Sequence, residues 1–195
     1  NPTRAMSFLC GERVELEPLD PDDGTHVEAH RETRNLQPMR ETGGYEAGLT
    51  AAEARDRIRE RRGTEGAICA IRAEGTVQGW AGVALHDDRA REGEVSYYVL
   101  PGGQGKGYAT DAVRTLAAFA FDSLNAHSLV GRVRADNDPS RRVVEKADFT
   151  HEGTRRESLY TDGTYHDVAI YGLLREEFEA ARAPDDAEEG ADEQD

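Results

Sequence analysis

Gln104-Gly105-Lys106-Gly107-Tyr108-Ala109-Thr110 lies between two segments of different period. Before it, Glu94-Val95-Ser96-Tyr97-Tyr98-Val99-Leu100 has the β-branched and aromatic content of a strand, and Pro101-Gly102-Gly103 ends the run with turn chemistry. After it, Ala109, Ala112, Val113, Leu116, Ala117 and Ala120 recur at helical spacing, which predicts a helix of about four turns beginning near Gly107. The first N–H groups of such a helix have no intrahelical partner, and glycines let a ligand approach them closely. With the helix dipole added, a phosphate or pyrophosphate is the expected guest.

Two phosphate-binding templates fail. A P-loop needs G-x-x-x-x-G-K-[ST], whereas Lys106 is followed by Gly107 and brings no hydroxyl for magnesium. A dinucleotide fingerprint needs G-x-G-x-x-G on the first strand of a βαβ unit, but this chain offers G-x-G-x-G after about a hundred residues of other material. The run does resemble the Q/R-x-x-G-x-G/A signature of the GNAT family, the GCN5-related N-acetyltransferases, with Gln104, Gly107 and Ala109 at the defining positions. In that family the loop amides hold the pyrophosphate of acetyl-CoA.

A second segment strengthens the resemblance. Asn137-Asp138-Pro139-Ser140-Arg141-Arg142-Val143-Val144-Glu145-Lys146-Ala147-Asp148-Phe149 is similar to the family's N-x-x-S-x-x-x-x-E-K-x-G-F, departing from it where Asp148 replaces glycine. Read locally, it is a capped helix over 139–147, with Asp138 suited to the N-cap, Pro139 to the first helical position, and Val143, Val144 and Ala147 to a buried face. Asp tolerates a left-handed conformation better than most residues. Gly11 to Leu19 looks like the first strand of the branch that acetylates ribosomal-protein N-termini (RimJ/RimL-like), and Asp162 to Leu174 like its closing hairpin. The resemblance covers about residues 11–175.

The resemblance implies an α/β fold with a mixed, mostly antiparallel central sheet of six or seven strands flanked by about four helices. It implies acetyl-CoA as cosubstrate, held by Val99, Gln104, Gly105, Lys106, Gly107, Tyr108, Ala109, Thr110, Asn137 and Ser140, with no metal. It also implies transfer of an acetyl group to a primary amine: a protein N-terminus, or a small amine such as an aminoglycoside or polyamine. A coenzyme A-binding module without turnover is the reading from another class. An amine attacks only when neutral, so the reaction calls for a base and for an acid at the departing thiolate. Glu94 occupies the strand position where several family members carry a catalytic glutamate. Many relatives place a proton-donating tyrosine directly before the E-K pair, where this chain has Val144; the N-terminal acetyltransferase branch suggests Ser140 instead. Asn137 cannot titrate and suits binding of the pantetheine arm or substrate, while Tyr98 and Tyr160 are secondary candidates.

Composition sets the wider bounds. A chain of 195 residues with 37% hydrophobic content suits one domain. Acidic residues outnumber basic ones 39 to 24, a formal charge of −15, and Lys106 and Lys146 are the only lysines. Nucleic-acid binding is therefore disfavoured, and the composition resembles that of proteins from salt-loving archaea, where salt screens self-repulsion. Cys10 and Cys69 have neither metal-ligand nor redox spacing, and no apolar stretch reaches membrane-span length, so a cytoplasmic protein with free thiols and no membrane association is expected, as monomer or homodimer.

Along the chain, residues 1–8 read as leader, 9–176 as the acetyltransferase domain and 177–195 as an acidic, disordered tail. Strands are expected at 13–17, 67–73, 76–85, 92–100, 128–134, 149–160 and 165–173, with a hairpin at Glu74-Gly75 and a loop over Glu41-Thr42-Gly43-Gly44-Tyr45. Helices are expected at 22–35 and at 51–62, the latter opened by a Thr50/Glu53 capping box. His26 and His30 read as a surface pair, Trp80 as a core aromatic, and the arginines from Arg55 to Arg62 as an ion-paired solvated face.

Overall fold

Glu74 and Gly75 both adopt positive φ, 52° and 78°, as a two-residue hairpin turn between right-twisted strands demands. The turn joins Gly66–Ala73 (β3) to Thr76–Leu85 (β4), and Glu92–Val99 (β5) pairs antiparallel to β4, giving the expected meander. Glu15–Pro18 (β2) and the two-residue Leu9–Cys10 (β1) extend it on the far side. Beyond β5 stand Ser128–Arg134 (β6), Thr150–Thr161 (β7) and Thr164–Leu174 (β8), in the sheet order β1-β2-β3-β4-β5-β6-β8-β7. Only β5 and β6 run parallel; the other pairs are antiparallel. The computed structural model describes residues 7–37, 48–86, 89–161 and 163–182. Among them the sheet has eight strands, one more than the sequence pattern predicts, because β1 is too short to show a period.

Helices cover both faces. Gly24–Asn35 (α1) and Ala51–Arg62 (α2) pack on β4 and β3, around Leu19, Val27, Ala54, Ile58, Ile68 and a fully buried Trp80. Asp23 caps α1, and the predicted Thr50/Glu53 capping box opens α2. Tyr108–Asp122 (α3) crosses the opposite face over β3, β4 and β5, burying Ala112, Val113, Leu116, Ala117, Ala120 and Phe121, each large side chain there contributing roughly 1.5–3 kcal/mol. Asp138–Lys146 (α4) lies beside it.

Several expectations need correction. His26 and His30 are buried at 4% and 0% exposure. His26 accepts the Asp20 N–H at Nδ1 (3.1 Å) and meets Glu17 at Nε2 (3.3 Å); His30 stands edge-on to Trp80. Both belong to the packing between α1 and the sheet. The last two residues of the expected leader pack on the fold: Ser7 bonds Glu15 and the Phe8 ring lies 5.2 Å from that of Phe119. The sequence pattern ends the domain at residue 176, but Arg175–Arg182 (α5) carries the fold further, setting Phe178 against Phe121 with ring centroids 4.8 Å apart. Residues 1–6, the Glu41–Tyr45 loop and the stretch from 183 lie outside the described residues.

Candidate active site

The glycine run connects β5 to α3 as the sequence predicts. Leu100 N–H donates to Gln78 O (2.7 Å), Pro101–Gly103 forms one 3₁₀ turn, and the Gln104 amide donates back to Val99 O (3.1 Å), closing the loop on the end of the strand. Gly105 and Gly107 take left-handed φ of 76° and 83°. A Cβ on Gly105 would meet nothing within 4 Å, so the requirement there is conformational. Gly107 is the N-cap of α3 and has no side chain to cap the helix. The first intrahelical bond runs from Asp111 N to Gly107 O (3.1 Å), leaving the amides of Tyr108, Ala109 and Thr110 as the orphan donors of the first turn. Lys106 Nζ lies 3.5 Å from Glu74 and 5.8 Å from the centre of the Tyr108 ring.

Beside this cradle the sheet opens. β5 and β6 pair only where Glu92, Gly93 and Glu94 oppose Ser128, Leu129 and Val130; further along, the two parallel strands register no partners. Tyr97, on the diverging part of β5, reaches across to α4. Its hydroxyl donates to Ser140 O (2.9 Å) and lies 2.8 Å from Ser140 Oγ, so the serine proton can point at the phenol oxygen. Burial pushes the Tyr97 phenol up to about 12, which keeps it protonated at neutral pH.

The Asn137–Phe149 motif gains a physical account. Asn137, not Asp138, is the N-cap: its side-chain oxygen accepts from Ser140 N (3.2 Å), and Asp138 and Pro139 fill the first helical turn. Both residue types cap helices well, so composition alone does not resolve a shift of one position. Glu145 accepts from Tyr171 Oη (2.8 Å), which also accepts from Arg141 Nε (3.1 Å), fastening α4 to β8. Asp148 holds φ 69°, the left-handed turn at the helix end for which the family uses glycine. Val144 is fully buried against β6, with Cγ1 3.3 Å from where a Gly131 Cβ would stand. The phenol beside Ser140 comes instead from β5.

Glu94 lies at the paired, closed end of the splay, tied to Arg132 and to His86 Nε2 (3.0 Å). Strand alternation puts it with Tyr98, which packs toward Trp80, whereas Tyr97 joins the α3 core. Glu94 and Ser140 are thus served by opposite faces of the sheet, with three residues of strand, about 10 Å, between Glu94 and Tyr97. Tyr160 stands exposed at the β7–β8 hairpin, 4.9 Å from the Tyr165 ring. Tyr97 is the residue the sequence reading passes over. Its only sequence signal is a strand tyrosine three positions after Glu94, which looks like packing.

Among the described residues no group of three His, Cys, Asp or Glu could hold a metal ion. The groups gathered here are donor backbone amides, hydroxyls and one accepting carboxylate. They suit an anionic ligand with a thioester carbonyl, and acetyl-CoA has those parts.

Comparison with known proteins agrees with this chemistry. The family model described as an acetyltransferase (GNAT) domain matches residues 13–150. YdaF of Bacillus subtilis, a candidate ribosomal N-acetyltransferase, is 34% identical over 102 residues, a match spanning 51% of this chain and about half, 56%, of that relative. A crystal structure of a candidate acetyltransferase superposes with a TM-score of 0.76 at 27% identity, covering 87% of this chain and 98% of the other. The spermidine N-acetyltransferase of Vibrio cholerae, solved with coenzyme A and spermine, shares the fold at a TM-score of 0.76 and 18% identity, covering 85% and 98%. With a family match over most of its length, a matching sheet and a glycine cradle at the expected place, this chain belongs to the GNAT acetyltransferase family.

Proposed function

We propose that this protein is an N-acetyltransferase that moves an acetyl group from acetyl-CoA directly to a primary amine, and that the amine is a protein N-terminal α-amine. The observation that carries the proposal is the strand–glycine loop–helix cradle set beside the splay of β5 from β6. Acetyl-CoA supplies an acetyl group activated as a thioester. Gln104, Gly105, Lys106, Gly107, Tyr108, Ala109 and Thr110 would hold its pyrophosphate, and Val99 and Asn137 its pantetheine arm. Glu94, held by Arg132, accepts the proton that the attacking amine sheds, directly or through a water. Ser140 turns its hydroxyl from Tyr97 Oη toward the departing sulfur, gives it a proton and regains one from water, and Tyr97, bonded to Ser140 O, holds the residue in place.

The choice of acceptor rests on titration. An α-amine has a pKa roughly 2.5 units below that of a lysine side chain, so far more of it is neutral near pH 7 and a weak carboxylate base suffices. The name of the Bacillus subtilis relative points to the same class. A second reading is acetylation of a small polyamine or aminoglycoside, which the charge of −15 favours by drawing in polycations. We attribute that charge instead to a salt-rich milieu. We place the enzyme in the cytoplasm on its cysteine usage: Cys10 and Cys69 are unpaired, and burial pushes the Cys69 thiol up to about 12.

The test is thiol release from acetyl-CoA against a panel of peptides with free N-termini, spermidine and an aminoglycoside. Turnover is expected with peptides and is expected to fall in Glu94→Gln and Ser140→Ala. Faster turnover with polyamines would replace the acceptor, turnover untouched by both substitutions would overturn the residue roles, and coenzyme binding without turnover on the whole panel would indicate a sensor.

A further inference from the structure

Arg13 stands at the mouth of the glycine loop although it belongs to the turn between β1 and β2. One carboxylate brings it there. Asp111, in the first turn of α3, accepts from the backbone N–H groups of Glu12 (3.1 Å), Arg13 (2.7 Å) and Val14 (2.9 Å). Gly11 leaves room for this, since a Cβ at that position would collide with the Asp111 carboxylate and the Thr115 hydroxyl. With its backbone pinned, Arg13 runs its side chain past the helix start: Cδ and Nε lie 3.6 and 3.7 Å from the point a Gly107 Cβ would occupy. Its guanidinium makes no hydrogen bond or ion pair among the described residues. Arg13, Glu74, Gly105, Lys106 and Tyr108 together line an open cavity of about 510 Å³. The cavity carries two cations and a single carboxylate, and that carboxylate, on Glu74, is already 3.5 Å from Lys106.

We propose that Arg13 binds the pyrophosphate of coenzyme A alongside the loop amides, and that Glu74 is the resident counter-ion opposing that binding. The inference rests on the loop being the coenzyme cradle. The guanidinium offers a planar fork suited to two phosphate oxygens, and it has no carboxylate to surrender first. Lys106 does have one. Entry of the coenzyme therefore exchanges the Glu74–Lys106 pair for phosphate contacts, and the Glu74 charge weakens the result at close range. Asp111 acts through backbone amides as the positioning residue for Arg13.

Calorimetric titration of the full chain with coenzyme A tests this without reliance on turnover. Arg13→Gln is expected to raise Kd about tenfold, Arg13→Lys to raise it less, and Glu74→Gln to lower it about two- to threefold, with melting temperatures at the parent value. The salt dependence of binding should flatten in Arg13→Gln. The Arg13→Gln penalty should persist with dephospho-coenzyme A, which keeps the pyrophosphate; a penalty that vanishes there would overturn the assignment. Unchanged affinity in Arg13→Gln while Gly107→Val loses binding would overturn the role of Arg13 and keep the loop. Unchanged affinity in Gly107→Val would overturn the loop reading itself.

Discussion

Tyr97 and Ser140 approach one another from β5 and α4, and their hydroxyls meet where the sheet has opened. The Tyr97 proton is engaged by Ser140 O, 2.9 Å away, so in our reading Tyr97 serves by orienting Ser140 and not by donating its own proton. Ser140→Ala should lower kcat by about 10²-fold with little change in the KM for acetyl-CoA, and Tyr97→Phe by about tenfold. The double variant should be no slower than Ser140→Ala alone, because the two act as one unit; steady-state kinetics on the four proteins checks the coupling. His30 gives a second prediction at this scale. Its ring is fully buried, neither nitrogen has a partner among the described residues, and burial, with help from Arg61, Arg34 and Arg57, pushes it down to about 4. The unfolded chain therefore binds a proton that the folded chain refuses. Stability is full above about pH 6.5 and falls by roughly 3 kcal/mol as pH drops toward 4, a slope that denaturant melts should show and that His30→Phe should flatten. Sequence could not reveal either residue's setting. A strand tyrosine and an i,i+4 histidine pair look the same whether they face a core, a cleft or water.

At the level of elements, the loop and the helices that flank it were legible because their information is local: period, turn residues and caps lie within a few positions of each other. The β5–β6 splay was not, since partner choice between distant strands leaves no mark in a single strand's pattern. Helix α5 was hidden for a different reason. Glu176, Glu177 and Glu179 give it the composition of the acidic tail that follows, and its anchors, Phe178 on Phe121, Arg182 on Asp122 and Arg175 on the Phe121 and Ala126 carbonyls, are all long-range. The C-terminus of α4 offers a test of local strain. Asp148 adopts φ 69° where glycine would do so freely, and its contact with Arg114, at 3.8 Å between half-exposed side chains, contributes little. Asp148→Gly should therefore stabilise the protein by about 0.5–1 kcal/mol, read as a higher melting temperature, with coenzyme affinity unchanged.

Across the whole molecule, donor and acceptor differ in how far sequence reveals them. The donor site is made largely of backbone, so a short glycine-rich run specifies it, and Arg13 joins it through the long-range grip of Asp111. We place the acceptor side at α1, α2 and the β7–β8 hairpin, where side chains and not backbone shape would decide recognition. A charge of −15 acts over the entire surface and selects a sign more than a substrate. The most direct test is the intact mass of a lysine-free peptide with a free N-terminus after incubation with the full chain and acetyl-CoA, beside the same peptide blocked at its N-terminus. The free peptide should gain one acetyl group, with one equivalent of thiol released, and the blocked peptide none. Coenzyme binding without acetyl gain on the free peptide would contradict the account.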